Sequence, residues 1–184
     1  MTPPYISVYI GLSLDGFIAR PNGDIDWLTH ERYVVPGEDM GYQAFFDTVD
    51  ALVMGRATFE KVLTFGEWPY ADKRVFVLSH NPNLIPDKLA DRAEVVSGSP
   101  AGVLRYVAEQ GVRHIYLDGG QVIQQFLRDG LVNELTLTRL PVLIGQGLPL
   151  FGPLPQDFHL RHIETRTFTT GLVQSRYAVV RDDE

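Results

Sequence analysis

The sequence predicts an α/β fold, with helices flanking a mostly parallel central sheet and an antiparallel hairpin at the C-terminal end. Short apolar strands alternate with helical segments along the chain, an order typical of a parallel sheet with helices on both faces. Two β-rich runs around Thr170-Gly171 are typical of a hairpin. The 184 residues, 45% hydrophobic and 21% charged, suit one domain over residues 1–184.

The first half of the chain begins with a mostly buried strand over residues 5–13, rich in β-branched and aromatic side chains. Pro21, Asn22 and Gly23 predict a mobile loop over residues 19–26. The elements expected next are a helix over 42–49, strands over 51–54, 74–78 and 94–96, and a short helix over 58–63.

The second half carries a clear helix signature. Ser99 is placed as an N-cap, Pro100 stands at the first helical position, and Gly111 follows the expected end at residue 110. The remaining elements are strands over 113–117 and 133–140, a helix from Gly119-Gly120 to about Gly130, and hairpin strands over 159–167 and 172–180.

Composition excludes several classes of protein. The net charge is −7 and no basic run occurs, so a nucleic-acid partner is not expected. The absence of cysteine excludes disulfides, thiolate nucleophiles and cysteine-based zinc sites. No apolar run approaches the roughly 20 residues that a membrane helix needs, and the N-terminus lacks a secretory pattern. A soluble, cytoplasmic protein without membrane contact is therefore expected.

Two strand ends carry glycine where a helix begins. Gly55, Arg56 and Thr58 follow one strand; the glycine lets backbone N–H groups approach a phosphate, and a guanidinium suits phosphate oxygens. The other strand runs into the double glycine of a natural pyrophosphate cradle, formed by Gly119, Gly120, Gln121, Val122 and Ile123. Each segment alone is also consistent with a plain strand-to-helix turn.

A third strand end carries Leu78, Ser79 and His80, which could hold a ribose or its phosphate or could form a simple polar turn. The G-x-G-x-x-G fingerprint of the common dinucleotide fold is absent.

Together, the three segments resemble the dihydrofolate-reductase superfamily across essentially the whole chain. Met54-Gly55-Arg56-x-Thr58 resembles the M-G-R-x-T motif that grips the cofactor phosphates. Leu78-Ser79 resembles the L-S strand end beside the adenosine ribose and 2′-phosphate. Gly119-Gly120 followed by Phe126-Leu127 resembles the pyrophosphate turn and its helix. The resemblance implies a dihydrofolate-reductase-like fold and NADPH as cofactor, although the residues leave NADH open.

The same resemblance extends to the substrate side. Residues 15–19 are similar to the D-x-x-I-G stretch that opens the loop over the nicotinamide, and Trp27 to the tryptophan that closes this loop. Residues 135–138 resemble the strand whose threonine lies near the pterin pocket. The resemblance implies that Ile10, Gly11, Ile18 and Thr138 line the junction of nicotinamide and substrate.

Within the superfamily, two segments resemble the reductase domain of riboflavin biosynthesis, the RibD C-terminal domain, in its stand-alone form. They are Ser13-Leu14-Asp15-Gly16, similar to S-x-D-G, and residues 141–147, similar to P-x-L-x-G. The deaminase half of the bifunctional riboflavin enzyme needs cysteines, which this chain lacks. The Met54-Gly55-Arg56 segment is more like dihydrofolate reductase, and no Lys/Arg cluster for a ribose phosphate is evident.

The implied reaction is hydride transfer to a C=N or C=O carbon, and it needs a proton donor as well. Counting back from Arg56 places Asp39, next to Glu38, where dihydrofolate reductase has its carboxylate. A half-buried carboxylate there would have a raised pKa; alternatively, Asp39 is an ordinary loop or helix-start acid. Asp15 is the second candidate, or a turn residue bonded to its own backbone.

The leading hypothesis is an NADPH-dependent reductase acting on 5-amino-6-(5-phosphoribosylamino)uracil or a related small heterocyclic or ribosylamino molecule. The alternatives are a dihydrofolate or pteridine reductase and a non-catalytic NADP-binding module. Relatives of the riboflavin group are often dimers, so a homodimer is expected. His114, His159 and His162 have no partner at metal-ligand spacing, so no metal site is expected.

Overall fold

The structure, a computed structural model, describes residues 2–180 and contains a main sheet of eight strands. Their spatial order is β5-β4-β3-β6-β1-β7-β10-β9. The strands are β1 (Tyr5–Ser13), β3 (Ala51–Gly55), β4 (Arg74–Leu78), β5 (Ala93–Val96), β6 (His114–Asp118), β7 (Glu134–Leu140), β9 (Leu160–Thr167) and β10 (Val173–Val179). A second, two-stranded sheet pairs β2 (Phe17–Ala19) with β8 (Leu148–Pro149).

The main sheet has the mostly parallel arrangement that the sequence predicts. All neighbouring pairs from β5 across to β7 are parallel. The hairpin strand β10 then pairs antiparallel with β7, and β9 pairs antiparallel with β10. The predicted C-terminal hairpin is therefore confirmed, and it extends one edge of the sheet.

Four helices cover the two faces of the sheet: α1 (Tyr42–Thr48), α2 (Arg56–Leu63), α3 (Pro100–Glu109) and α4 (Gly120–Arg128). The predicted cap of α3 is present, because the Ser99 side chain accepts a hydrogen bond from the Gly102 N–H. Within the part of the chain that the structure describes, no helix combines the length and the apolar character needed to span a membrane.

Two apolar clusters bury the faces of the sheet. Side chains of α3 and α4, such as Val107 and Ile123, pack with Ile6 and Val8 of β1 on one face. Side chains of α1 and α2, such as Phe46 and Phe59, pack on the opposite face with strands β3 and β4. The apolar spacing within each helix therefore decides which face it covers.

The crossovers bring two strand-to-helix turns together. Strands β3 and β6 are parallel neighbours, and Met54 is in register with Asp118. Helix α2 begins directly after β3, and α4 begins after β6, so Gly55 and Gly119 meet at the carboxyl edge of the sheet. Ligands of open parallel sheets bind at this edge.

The predicted loop over residues 19–26 begins one residue later, because Ala19 is the last residue of β2 in the small β2–β8 sheet. A side chain at Gly147 would collide with the Ala19 carbonyl, so the backbone segments lie almost in contact there. Strands of two and three residues carry no readable periodicity, which is why the sequence does not predict them.

Asn133, directly before β7, forms hydrogen bonds to β1 and to β10. Its Oδ1 accepts a hydrogen bond of 2.8 Å from the N–H of the fully buried Ile6, its own N–H donates to the Ile6 carbonyl, and Val179 donates to the Asn133 carbonyl. Replacing Asn133 by Ala would leave the buried Ile6 N–H without a partner. We expect Asn133→Ala to lower the free energy of unfolding by about 1–3 kcal/mol, measured by urea denaturation.

The matched control is Asn83→Ala, at an exposed loop position, where we expect a change within about 0.5 kcal/mol. Equal effects of the two variants would contradict the anchoring role of Asn133.

Candidate functional site

Helices α2 and α4 both begin at a glycine. The N-cap residues are Gly55 and Gly119, and among the described residues neither helix start has a side-chain cap. The first N–H groups of a helix have no partner inside the helix, and they carry a partial positive charge. Two such helix starts side by side form a site suited to an anionic group such as a diphosphate. We call Gly55, Arg56, Thr58, Gly119 and Gly120 the phosphate cradle.

The cradle has no room for side chains at its glycines. Gly119 has φ +94°, and a Cβ there would lie 2.5 Å from Thr58 Oγ1 and 3.6 Å from the Gly55 nitrogen. A Cβ at Gly55 would lie 3.1 Å from Val122 Cγ2. The glycines therefore let the two turns approach within van der Waals contact, and the residues present fit a bound pyrophosphate.

The segment around β2 covers the start of α4. A Cβ at Gly120 would lie 2.7 Å from Ile18 Cδ1. Ile18 is partly buried and packs against the core cluster of α3 and α4. Ile18 thus lies directly beside the cradle, as the resemblance implies for a residue that opens the loop over the cofactor.

The remaining predicted cofactor residues lie at the same edge in different settings. Arg56 is exposed, with a 3.4 Å ion pair to Glu60 one turn along α2. Leu78 is in register with Gly55, so Ser79 and the exposed His80 follow next to the cradle.

The predicted residues of α4 divide between surface and core. Gln121 is exposed, whereas Val122 and Ile123 are buried in the core. The Ile123 N–H is already bonded to the Gly119 carbonyl.

A pocket of about 330 Å³ opens on the face of the sheet that carries α1. Its volume is near the lower end of the range for small-molecule sites, roughly 300–1,000 Å³. It is lined by Tyr9, Gly11, Leu28, Tyr33, Val34, Val35, Glu38, Met40, Thr138, Leu140 and Leu172. The walls are mostly apolar, with a few polar groups, which is the usual composition of a site for a planar organic ligand.

Gly11 and Thr138 form the floor of the pocket, where they are in register on β1 and β7. A Cβ at Gly11 would lie 2.6 Å from Leu28 Cδ1, so the glycine leaves space where the loop crosses the strand. The buried Thr138 accepts a 3.0 Å hydrogen bond from Gln174 Nε2. Ile10, one residue before Gly11, packs instead against the core cluster of α3 and α4.

Trp27 is buried behind the pocket and packs with Tyr33, Leu140 and Leu172. Its Nε1 is buried without a hydrogen-bond partner among the described residues. The tryptophan supports the wall, while its neighbour Leu28 lines the pocket.

Asp15 is exposed and ties two segments of backbone together. Its carboxylate accepts hydrogen bonds from the Ser13 hydroxyl and from the N–H groups of Ile144 and Gly145. The Ser13 hydrogen bond, followed by the backbone donors, lowers the pKa of Asp15. A proton donor needs the opposite shift near neutral pH, so this position does not favour the catalytic role suggested by the sequence.

Asp39 does not have the half-buried position and raised pKa that its candidate role requires. It is exposed, and backbone hydrogen bonds from Gln43 and Gly41 lower its pKa. Its neighbour Glu38 lines the pocket instead, with Oε2 at 3.7 Å from Arg166. The spacing from Arg56 therefore pointed to Asp39, whereas the carboxylate that lines the pocket belongs to the preceding residue, Glu38. A catalytic role for Asp39 stays a prediction, and its exposed position does not favour it.

Asp118 is the acid that the structure adds to the site. It ends β6, directly before the cradle glycines, and accepts a 2.8 Å hydrogen bond from the Gly119 N–H. Burial raises its pKa to about 6, because the surrounding protein disfavours the charged form. Its strand neighbour Tyr116 lies on the face that packs against α1 and α2, and Asp118, two residues later, shares that face.

Two residues at the pocket floor were not predicted as site residues: Tyr9, which lines the pocket, and Gln174, which hydrogen-bonds to Tyr9 and Thr138 from behind the lining. Tyr9 is two residues before Gly11 on β1, so the alternation of the strand could have placed it on the same face. Gln174 has no such signal, because only the pairing of β10 with β7 sets it beside Thr138. Within residues 2–180, no cluster of three or more His, Asp or Glu side chains is arranged to hold a metal ion.

The raised pKa of Asp118 predicts a pH-dependent effect on stability. The unfolded state ionises near the ordinary pKa of 3.8 and the folded state near about 6, so the native carboxyl destabilises the fold increasingly between these values. We expect Asp118→Asn to be more stable than the wild type above pH 6, by up to about 3 kcal/mol, with the difference disappearing toward pH 4.

Guanidinium denaturation at pH 4.5 and pH 7.5 measures this difference. The matched control is Asp72→Asn, the same substitution at an exposed loop position. An effect of Asp118→Asn that is identical at both pH values would show that the carboxyl is not desolvated.

Comparison with known proteins shows the family of the chain. Residues 4–174 match the model of the RibD C-terminal domain. The uncharacterized protein YwjB of Bacillus subtilis (strain 168) is 35% identical over 163 residues, which cover 88% of this chain and 90% of YwjB.

Two solved structures are similar to this chain in fold. A protein from Shewanella sp. PV-4, provisionally assigned to riboflavin biosynthesis, is 38% identical with a TM-score of 0.90, covering 96% of this chain and 99% of that one. A dihydrofolate reductase from Enterococcus faecalis, complexed with NADP(H), has a TM-score of 0.66 at 16% identity, covering 96% and 97%. The fold is therefore dihydrofolate-reductase-like, and the chain belongs to the RibD C-terminal domain family of reductases.

Proposed function

We propose that the protein is an NADPH-dependent reductase of the riboflavin-biosynthesis type, which transfers a hydride to a C=N or C=O carbon of a small heterocyclic or ribosylamino substrate. One observation carries the proposal: two glycine-capped helix starts meet at the carboxyl edge of the sheet, and an apolar pocket opens at the same end of β1. A cofactor with a diphosphate and a planar reactive ring needs both features side by side.

The phosphate cradle would hold the pyrophosphate, mainly through the free N–H groups at the starts of α2 and α4. Arg56 would add a charge-assisted hydrogen bond, since its guanidinium is exposed beside the first turn of α2. Ser79 and His80, after the strand next to Gly55, would reach the adenosine ribose and its 2′-phosphate. Leu78 would contact the adenine end of the cofactor.

The nicotinamide end would lie between Ile18, which contacts Gly120 of the cradle, and Gly11 on the pocket floor. When bound, NADPH supplies the hydride. The chain's own residues supply the rest: Leu28 and the other apolar walls exclude water, and Thr138 and Glu38 offer polar contacts that orient a substrate.

Of the three carboxyls Asp15, Asp39 and Asp118, Asp118 has the pKa that suits a proton donor, and it stands beside the cradle glycines, outside the pocket lining. Its Oδ1 accepts the Gly119 N–H, which leaves Oδ2 to carry a proton. With a pKa of about 6, an appreciable fraction of this carboxyl is protonated near neutral pH. A role of Asp118 as general acid therefore requires that the bound substrate extend from the pocket to this carboxyl.

A second candidate, a dihydrofolate or pteridine reductase, is favoured by the charge of the pocket. Glu38 is the single charged residue of its lining, and neither Lys nor Arg lines it among the described residues. An acidic wall suits a heterocycle that donates hydrogen bonds better than it suits a buried phosphate.

The proposal is tested by fluorescence titration of the purified protein with NADPH and NADH, followed by NADPH oxidation assays. Saturable NADPH binding and turnover of the ribosylaminopyrimidine support the riboflavin-type reductase. Turnover of dihydrofolate with tight inhibition by an antifolate supports the second candidate. NADPH binding without any turnover indicates a binding module, and no binding overturns the cofactor site.

The role of Arg56 can be tested separately from folding. We expect Arg56→Ala to weaken NADPH binding by about ten- to hundredfold, because a charge-assisted hydrogen bond to phosphate is lost. The free energy of unfolding should change by less than about 0.5 kcal/mol, because the ion pair with Glu60 is exposed. Calorimetric titration and urea denaturation measure the two quantities.

Arg105→Ala in α3 is the matched control, since it removes the same charge from an exposed helical position outside the cradle. An NADPH dissociation constant that is unchanged in Arg56→Ala would remove Arg56 from the site.

A further inference from the structure

Met40 has an unusual backbone conformation at the wall of the pocket. Its φ is +59°, and among residues 2–180 Met40 and Ala71 are the non-glycine residues with positive φ. A side chain in the left-handed region costs roughly 1–2 kcal/mol, so the surroundings must hold Met40 in place. Met40 itself lines the pocket.

The hydroxyl of Tyr9 provides that restraint. It donates a 2.7 Å hydrogen bond to the Met40 carbonyl, across 31 residues of sequence. The Tyr9 ring is itself held by α1, stacked on Phe45 with ring centroids 4.9 Å apart and edge-on to Tyr42 at 5.6 Å. Burial raises the pKa of Tyr9, so the hydroxyl keeps its proton and remains a donor.

Gln174 orients the same hydroxyl from the other side. Its Nε2 donates at 2.9 Å to the Tyr9 oxygen and at 3.0 Å to Thr138 Oγ1, and the side chain is buried. Because the Tyr9 oxygen accepts from Gln174, its own proton is directed to the Met40 carbonyl. The loop is thereby tied to the floor of the pocket.

The Met40 conformation in turn directs Glu38. The Met40 N–H donates a 2.7 Å hydrogen bond to Glu38 Oε1, while Glu38 Oε2 lies 3.7 Å from Arg166. The peptide on one side of Met40 therefore holds the carboxylate of the pocket wall, and the peptide on the other side is held by Tyr9. Turning Met40 out of the left-handed region would reorient the peptide that bonds Glu38.

We propose that Tyr9 is a positioning residue: its hydroxyl keeps Met40 left-handed, and this conformation aims the Glu38 carboxylate into the pocket. The importance of Glu38 for a substrate rests on the proposed function, but the restraint of the loop by Tyr9 does not.

Amide hydrogen exchange of the full chain without ligand tests the restraint directly. In Tyr9→Phe, exchange of the amides in residues 38–43 should rise by roughly tenfold, the equivalent of one buried hydrogen bond. Exchange in the central strands β3 and β6 and the thermal midpoint should change little. The matched control is Tyr5→Phe, because Tyr5 lies on the same strand but is exposed, with a long 3.5 Å hydrogen bond to Glu134.

A rescue experiment separates positioning from general packing. Met40→Gly and Met40→Ala both truncate the side chain, but only glycine adopts positive φ without cost. In the Tyr9→Phe background, we expect Met40→Gly to restore slow exchange in residues 38–43 by at least severalfold relative to Met40→Ala. Equal exchange in the two double variants, or a Tyr9→Phe effect no larger than that of Tyr5→Phe, would overturn the proposal.

Since no ligand is present, failure of these exchange measurements counts against the positioning role alone. Failure of NADPH binding would count against the proposed function alone.

Discussion

The close approach of Gly55 and Gly119 is the constraint on which the rest of the site depends. Parallel pairing of β3 with β6 sets the two turns side by side, and the absence of a Cβ at either position lets them touch. The contact aligns the starts of α2 and α4, so two partial positive charges face the same space. A single helix start is common in proteins, whereas two that converge at one sheet edge form a defined anion site.

The central position of β1 extends this site into a pocket. The strand lies between β6, which leads into the cradle, and β7, which contributes Thr138 to the pocket floor. Gly11 is on β1 where the strand passes beneath the loop that carries Leu28. The segment that precedes α1 then closes the pocket through side chains such as Glu38 and Met40. The cradle and the pocket are therefore joined by one strand.

Much of the fold follows from local signals in the sequence. The β-branched runs predict the strands of the main sheet, and Ser99 with Pro100 predicts the start of α3, because capping depends on neighbouring residues only. The sequence also shows the glycines at the ends of β3 and β6, where the resemblance to dihydrofolate reductases, and no local signal, favours a phosphate site over a plain turn. What local signals cannot provide is pairing between distant segments, such as β2 with β8.

Because local signals do not give contacts between distant segments, the sequence pointed to Asp39 in place of Glu38 and missed Asp118. Asp39 and Glu38 are neighbours in the sequence, and only the path of the loop, set by the left-handed Met40, decides which of them lines the pocket. The sequence shows Asp118 directly before the double glycine. The raised pKa of Asp118 results from burial by other elements, which the sequence does not show. Gln174 comes to lie beside Thr138 through the pairing of β10 with β7, which no local signal in the sequence predicts.

We propose that the cradle and the pocket form one continuous site for a nicotinamide dinucleotide. The most direct measurement is a titration of isotope-labelled protein with NADPH, followed by NMR of the backbone amides. We expect the largest shifts at Arg56, Ala57, Gly120 and Gln121, accompanied by a shift at Gly11 on the pocket floor. Shifts confined to other surfaces, such as the groove of residues 152–159, or no shifts at saturating NADPH, would contradict it.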